Sequence, residues 1–303
     1  MTLIRTLALA SALTAALTAF APRTAFADES DQGQTAQAQG QDQGGGQAAA
    51  PAATAPQLRP LCTDRPTKST SPCTVDPGHL QIESDIYNVT FDHSGGADTT
   101  TSLYTNPTLK WGVSNNVDLE LNITPYETIT SRDRATDVTT RASGVGDLFG
   151  RAKIELVGVD GGNVAFGLVP YIKIPTASAG VGNGAVEGGL IAPISLNLPA
   201  NWSLVIDPEV DDLKNAVGQG RHANYSGLLS FSYPFTKTVT LSAELWGDIN
   251  DDPTGRVRQA SADLGAAWIP ASSPNLQWDG GVNFGLNSQT PAAQLYLGVS
   301  RRF

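Results

Sequence analysis

The sequence lacks long hydrophobic runs beyond its first twenty residues, and no later stretch approaches the ~20 apolar residues that a membrane-spanning helix needs. A helical membrane protein is therefore excluded. Basic side chains are also scarce, with 19 Lys and Arg against 29 Asp and Glu and a net charge of −10. A chain this acidic is repelled by phosphates, which argues against a nucleic-acid partner.

The N-terminus "MTLIRTLALASALTAALTAFAPRTAFADES" carries one early cation, Arg5, then an apolar run from Leu7 to Phe20 and an Ala-Phe-Ala sequence that ends at Ala27. This pattern predicts a secretory signal peptide, residues 1–27, cleaved after Ala27. The alternative, a helical anchor, is disfavoured because the apolar run is too short to span a bilayer. We expect an exported mature protein with 17 basic and 29 acidic side chains, a net charge of −12.

Cysteine is nearly absent, and both cysteines, Cys62 and Cys73, lie in "LCTDRPTKSTSPCTVDPGH". In an oxidising compartment they predict one disulfide that closes a short loop. A zinc site is the alternative, but two thiols without nearby histidines supply too few ligands. We expect a local cross-link, with no metal, other cofactor or catalytic residue.

Large apolar side chains are also nearly absent from residues 28–60, which consist largely of Gln, Gly, Ala and Pro. This composition predicts a disordered linker, although a role in holding the cell wall or a periplasmic partner stays open. Residues 61–78 then form the predicted disulfide-closed periplasmic segment, and residues 79–303 the folded domain.

From residue 79 onward, apolar residues recur at every second position, and helical spacing is almost absent. In one such run Leu119 and Leu121 alternate with Asp118, Glu120 and Asn122. Twelve runs follow this pattern, roughly 79–92, 100–113, 117–128, 145–157, 163–176, 185–198, 202–213, 223–236, 239–250, 258–269, 275–287 and 293–303.

The connections between runs alternate between short ones, such as "SNN" and "TK", and mostly longer ones, such as "SRDRATDVTTRAS". An even strand number, with short turns and both termini on one side, predicts an all-β fold: a transmembrane antiparallel up-and-down barrel of about 12 strands in the bacterial outer membrane. A soluble β-sandwich is the main alternative, but its strands are usually shorter. Four mid-strand prolines, Pro107, Pro170, Pro193 and Pro208, predict bulges or bends.

Aromatic residues near the short turns share the phase of the apolar face, which predicts an aromatic girdle at the periplasmic interface. The girdle comprises Trp111, Trp202, Trp268, Trp278 and Phe303, joined by Tyr233 and Phe235, whereas Trp246 points inward. The last run is predicted to close the barrel, and its final Phe303 resembles the signal by which bacterial barrels are recognised for insertion. We therefore expect outer-membrane lipid, lipopolysaccharide and the barrel-assembly machinery as partners. Lipopolysaccharide contact would come from loop cations, for which simple solvation is equally open: Arg132, Arg134, Arg141, Arg221, Arg256 and Arg258.

The polar phase of the runs predicts a lumen lined by fourteen acids and five bases. The acids are Glu83, Asp85, Asp118, Glu120, Asp147, Glu155, Glu187, Asp207, Glu209, Asp211, Glu244, Asp248, Asp263 and Asp279, and the bases are Lys110, Arg151, Lys153, Lys173 and Arg302.

Antiparallel register, with an uncertainty of about two residues, places most of the bases beside acids on the first six strands. Along the wall, Lys110 lies between Glu83 and Glu120, and Glu120 also neighbours Arg151. Asp118 neighbours Lys153, and Lys173 lies between Asp147 and Glu187. Glu244 lies beside Asp263, and Arg302 near Asp279. The opposite wall is then acidic and nearly free of cations. Two interpretations stay open, a path that favours cationic or neutral polar solutes and a narrow lumen closed by its own salt bridges.

Four segments, "TDRPTKSTSPCTVDPGHLQIESD", "GVGDLFGRAKIELVG", "GLVPYIKIPT" and "EGGLIAPISLNLP", resemble a family of bacterial outer-membrane proteins assigned to transport in the meta-pathway of phenol degradation. The resemblance covers nearly the whole mature domain, and the two cysteines depart from its pattern. It implies a channel or uptake barrel for small organic compounds, aromatic ones among them, and names no substrate.

Two other functions stay open. A barrel with a blocked lumen would bind or assemble rather than transport. An outer-membrane phospholipase would need a Ser-His pair, and of the three histidines, His79, His93 and His222, the last lies near Ser226. Both of those side chains have the inward phase, where a lipid ester cannot reach them, so we do not expect an enzyme.

Overall fold

A computed structural model describes residues 58–159 and 161–303. Sixteen strand segments build one antiparallel sheet: β1 Leu80–Asp92, β2 Ala97–Tyr104, β3 Thr108–Ser114, β4 Val117–Ile123, β5 Glu127–Asp133, β6 Thr139–Gly144, β7 Leu148–Val157, β8 Val164–Ile174, β9 Glu187–Ile191, β10 Ile194–Asn197, β11 Ser203–Lys214, β12 Arg221–Pro234, β13 Val239–Asn250, β14 Val257–Trp268, β15 Leu276–Gly285 and β16 Ala293–Arg302. The predicted signal peptide and the predicted linker up to residue 57 lie outside the described residues.

The sheet closes on itself because β1 pairs with β16 along most of its length, from Gln81 opposite Arg302 to Phe91 opposite Ala293. Each of the pairs β2/β3, β4/β5, β6/β7 and β9/β10 is one spanning strand with a short break, so the sixteen segments form a closed barrel of twelve strands. Closure is required in lipid, where an unpaired backbone group finds no water. The predicted fold is confirmed, and in the part of the chain that the structure describes no helix is long and apolar enough to cross a membrane.

The prediction that the four mid-strand prolines cause bulges or bends is confirmed for two of them and wrong for the other two. Pro107 and Pro193 lie in the breaks between β2 and β3 and between β9 and β10. Pro170 and Pro208, in contrast, lie within the unbroken strands β8 and β11. A proline removes only its own N–H donor, and the carbonyl of Pro208 still accepts a hydrogen bond from the amide of Ala192.

The alternating pattern places apolar side chains on the outer face and polar ones inside. Leu121 is 54% exposed on the outside of β4, whereas its neighbour Glu120 is 3% exposed inside. This arrangement is the inverse of a soluble protein and matches a barrel whose outer face contacts lipid. The interior is therefore filled by charged and hydroxyl side chains rather than by an oily core.

Residues 58–78, which we call the plug, form a hairpin inside the barrel. Arg59 enters beside the β3–β4 turn, where its Nη1 lies 3.1 Å from the carbonyl oxygen of Asn115, and the returning limb reaches the same turn at Thr74. The predicted disulfide between Cys62 and Cys73 is present and joins the two limbs, with Cα atoms 6.5 Å apart. We expected residues 61–78 outside the barrel in the periplasm, but their cations and backbone amides find partners on the lumen wall.

A charge on the outer face should destabilise the barrel according to its depth. We predict that Leu245→Arg, at mid-height of β13 and 56% exposed, lowers the free energy of unfolding from a bilayer by about 2–4 kcal/mol, because lipid cannot solvate the guanidinium. Phe235→Arg, in the β12–β13 turn, should cost about 0–1 kcal/mol. Equilibrium unfolding from lipid vesicles measures both values, and equal losses would contradict the assigned membrane position.

Candidate functional site

Four inward-facing glycines of the barrel wall leave the space in which the plug lies. A Cβ atom on Gly298 would be 1.9 Å from Nη2 of Arg65, and one on Gly112 would be 2.1 Å from the carbonyl oxygen of Asp76. Cβ atoms on Gly265 and Gly167 would meet plug prolines at 3.0 and 3.4 Å. Real Cβ atoms do not approach other atoms as closely as the first two distances, so the wall is shaped around the plug.

Asp64 of the plug is the centre of a buried ion cluster. Its carboxylate bonds Nζ of Lys153 at 2.8 Å and also bonds Lys110. Lys110 in turn lies 2.7 Å from Glu83 and 3.6 Å from Glu120. Burial opposes ionisation of Asp64, but the charges of Lys110 and Lys153 outweigh burial and hold the pKa of Asp64 well below its usual range. The plug therefore supplies the anion that joins the two lysines.

Arg65 makes the second set of ion pairs. Its guanidinium lies 2.6 Å from Asp85 and 2.8 Å from Asp279. Burial lowers the pKa of Arg65, but Asp85 and Asp279 outweigh it and raise that pKa above its ordinary value. The prediction that Arg302 lies near Asp279 is wrong, because Arg302 bonds Asp76 of the plug at 2.7 Å and Arg65 takes its place.

Lys68 and the backbone at the tip of the plug meet the wall that we expected to be nearly free of cations. Nζ of Lys68 lies 3.0 Å from Asp263, and the Lys68 amide donates to Glu244 at 2.9 Å. The amide of Thr70 donates to Asp207 at 2.7 Å. The acidic wall is therefore partly neutralised by groups outside the strands, which a count of strand residues alone misses.

Backbone amides on both limbs of the plug bond wall carboxylates in the same way. The amide of Asp64 donates to Glu83 at 3.0 Å, and the amide of Val75 donates to Asp118 at 3.0 Å. Each carboxylate thus satisfies a buried donor that would otherwise lack a partner. Four acids of the wall hold the plug through its backbone, which no side-chain motif reveals.

The predicted register pairs within the wall are confirmed. Lys110 faces Glu120, and Arg151 faces Glu120 from the other side. Lys153 faces Asp118, and Glu244 faces Asp263.

Three further predicted contacts are confirmed by distance. Lys173 lies 3.3 Å from Asp147 and 2.7 Å from Glu187. The Glu83–Lys110 ion pair forms although Gln81, not Glu83, is directly opposite Lys110. The strand pattern therefore predicts lateral neighbours well.

The structure places most of the predicted lumen residues in buried positions. Asp147, Arg151, Glu209 and Asp248 are half-buried, and the buried ones are Glu83, Asp85, Lys110, Asp118, Glu120, Lys153, Glu155, Lys173, Glu187, Asp207, Asp211, Glu244, Asp263, Asp279 and Arg302.

A cavity of about 300 Å³ remains between the plug tip and the walls. Arg151 lines it from β7, and Asp207 and Glu209 line it from β11, three strands further round the barrel. Apolar surface comes from Leu228 and Trp246. The cavity thus offers charge of both signs and an aromatic face to a small molecule.

The expected girdle residues are exposed on the outer face near the short turns. They are Trp111, Trp202, Trp268, Trp278 and Phe303, and the ring of Trp202 lies 5.0 Å from that of Tyr233. Trp246 lies on the inward side as expected. Of the loop cations, four form ion pairs with nearby loop or strand acids: Arg132, Arg134, Arg221 and Arg256.

Ser226 and His222 do not form the Ser-His pair that a phospholipase requires. Oγ of Ser226 donates to Glu209 at 3.2 Å, and Nδ1 of His222 lies 3.0 Å from the amide oxygen of Asn215. Within residues 58–159 and 161–303, no cluster of three His, Cys, Asp or Glu side chains is arranged to hold a metal ion.

Comparisons with known proteins give a matching family and similar solved structures. The model of the family described as "Putative MetA-pathway of phenol degradation" matches residues 63–303. An outer membrane channel from Pseudomonas putida F1 superposes with a TM-score of 0.60 at 15% identity, over 78% of this chain and 100% of that one. The β domain of the Bordetella autotransporter Brka has a TM-score of 0.49 at 14% identity, over 75% and 100% of the two chains. No curated protein sequence matches the chain.

Filling the space at Gly298 should loosen the plug. We predict that Gly298→Ala raises the hydrogen-exchange rates of the backbone amides in residues 64–75 at least tenfold, about 1.4 kcal/mol of opening free energy, because Arg65 must leave its two carboxylates. Gly247→Ala is the matched control, since its Cβ would make only an ordinary 3.8 Å contact with a strand carbonyl. Unchanged exchange in Gly298→Ala would contradict the docked position of Arg65.

Removing the charge of Asp64 should weaken docking over a defined pH range. We predict that Asp64→Asn lowers the docking free energy by about 2–3 kcal/mol, because Lys110 and Lys153 lose a shared buried anion. The pKa of Asp64 is lower in the docked plug, so its contribution is present above pH about 4 and is lost as the pH falls towards that lowered pKa.

Hydrogen exchange of the plug amides from pH 8 to 3 measures this effect. The gap between wild type and Asp64→Asn should be constant at neutral pH and narrow below pH about 4, while Asp137→Asn, on an exposed loop, should show no gap. A gap that widens with acidification would contradict the ion-pair assignment.

Proposed function

The chain belongs to this phenol-degradation family, and from that membership together with the plugged, charged lumen we propose that it is an outer-membrane channel for small organic solutes, closed at rest by residues 58–78. The Pseudomonas putida F1 barrel on which it superposes is itself called an outer membrane channel. The short turns and the plug entrance would face the periplasm, and the longer loops the exterior.

The observation that carries the proposal is the polar character of the plug interface. The plug is held by ion pairs and amide–carboxylate hydrogen bonds, with Asp64 and Arg65 making four ion pairs to the wall. When the plug leaves, water can replace each of these polar contacts with a hydrogen bond of its own. An apolar interface would have no such compensation when it is exposed to water. A plug held in this way suits reversible displacement.

Displacement of the plug would change the field inside the lumen. The plug carries three cations, Arg59, Arg65 and Lys68, and two acids, Asp64 and Asp76, so its withdrawal removes a net charge of +1 and leaves fourteen wall acids facing five wall bases. An open path of this kind favours cationic and neutral polar solutes over anions. Aromatic solutes, which the family's description suggests, would find Trp246 and Leu228 in the cavity above the plug.

The proposed environment also includes the partners expected from the sequence. Lipid would contact the outer apolar face and the aromatic girdle, lipopolysaccharide the loop cations, and the assembly machinery the final strand ending at Phe303. No nucleic acid is among the proposed partners.

A barrel with a permanently blocked lumen is the second candidate, and the plug itself favours it. In that case the cavity above the plug would bind a solute without passing it on. A phospholipase is not proposed, since Ser226 and His222 have other partners.

Planar-bilayer recording separates the two candidates. We predict that the double variant Asp64→Ala, Arg65→Ala in the full chain raises mean conductance several-fold over wild type, with a reversal potential in a salt gradient that indicates cation preference. Arg256→Ala, on an exposed loop, is the control and should behave as wild type. A double variant that stays silent would favour the blocked barrel.

Neutralising Asp207, Glu209 and Asp211 together in the double variant should weaken the cation preference. Anion selectivity before this neutralisation would refute the role assigned to the acidic wall.

A further inference from the structure

The side chain of Lys68 ends in a pocket with the features of an ammonium-binding site. Its Nζ lies 4.6 Å above the centre of the Trp246 ring, 2.7 Å from Oγ of Ser261 and 3.0 Å from Oδ2 of Asp263. An ammonium group has three donors and no acceptor, and an aromatic face attracts a cation through the ring quadrupole. The pocket therefore matches one ammonium group closely.

The pocket is built from wall residues and not from the plug. Ser261 and Asp263 lie on β14 and are each 2% exposed, and Trp246 lies on β13. The adjacent Glu244 accepts the backbone amide of Lys68 through one oxygen. Its other oxygen, and Oδ1 of Asp263, are buried and accept no hydrogen bond in the part of the chain that the structure describes. The wall thus offers more acceptor capacity than Lys68 uses.

We propose that this pocket is a recognition site for solutes that carry a primary ammonium group, and that Lys68 occupies it as an internal ligand. Lys68 and Trp246 also line the cavity of about 300 Å³, so a soluble amine reaches the pocket from that space. An amine that takes the place of Lys68 removes one of the contacts that hold the plug tip. The inference names a solute class for the proposed channel and rests on that function only where it concerns transport.

The test uses calorimetric binding to the purified full-length protein in detergent, with n-butylammonium chloride as the probe. Lys68→Ala removes three carbons and the ammonium group from the pocket, and the adjoining cavity of about 300 Å³ has room for the one additional carbon of the probe. We expect Lys68→Ala to bind n-butylammonium at least tenfold more tightly than wild type, in which Lys68 competes. Lys237→Ala, in the exposed β12–β13 turn, is the matched control and should bind as wild type.

Two further measurements identify the chemistry of binding. Asp263→Asn added to Lys68→Ala should lower affinity for n-butylammonium at least tenfold, because the anionic acceptor is lost. The neutral probe 1-butanol should not bind Lys68→Ala measurably. Equal affinity of wild type and Lys68→Ala, binding of 1-butanol as tight as that of the amine, or an unchanged affinity in the Asp263→Asn variant would each overturn the proposal.

Binding is measured without reference to conductance, so the outcomes for site and channel are distinguishable. Amine binding by a protein that never conducts would support the proposed ammonium site and contradict the proposed channel function. Conductance on plug release without amine binding would support the proposed channel function and contradict the proposed ammonium site.

Discussion

The structure depends on the requirement that backbone groups in lipid have hydrogen-bond partners. That requirement forces β1 onto β16 and closes the sheet. Because side chains alternate between the two faces of a strand, every second residue of the closed barrel points into the lumen. The remaining residues contact lipid and are therefore apolar. A barrel of this kind has a polar interior by construction, and this interior must be filled by water, by its own ion pairs or by another segment of chain.

Here a segment of the chain itself fills much of the interior. Carboxylates such as Glu83 and Asp207 would be costly to bury alone, and the plug brings them amides and cations at 2.7–3.0 Å. The wall and the plug are thus two halves of one charge-compensated interior. The polarity of the lumen makes it suitable for a peptide loop that carries cations and free backbone amides.

The strand pattern was sufficient to predict the barrel, its strand number and its lateral pairs. Pairs such as Lys110–Glu120 and Glu244–Asp263 follow from turn positions and parity alone. The plug was not predicted, because residues 61–78 have no periodicity and because their wall contacts run largely through backbone amides. The sequence pattern pairs Arg302 with Asp279 because it places the competing cation, Arg65, outside the barrel. The sequence does carry one signal of the plug. Glycines such as Gly298 stand at inward positions where the strand pattern predicts polar side chains.

The hairpin shape of the plug has a topological consequence. Both limbs leave through the rim at the β3–β4 turn, and the cross-link between Cys62 and Cys73 makes them one closed loop. Insertion and withdrawal therefore require no free chain end to be threaded along the barrel axis. The twelve-stranded barrel can therefore close before or after the plug enters its lumen. Barrel closure and plug insertion are thus separable steps in biogenesis.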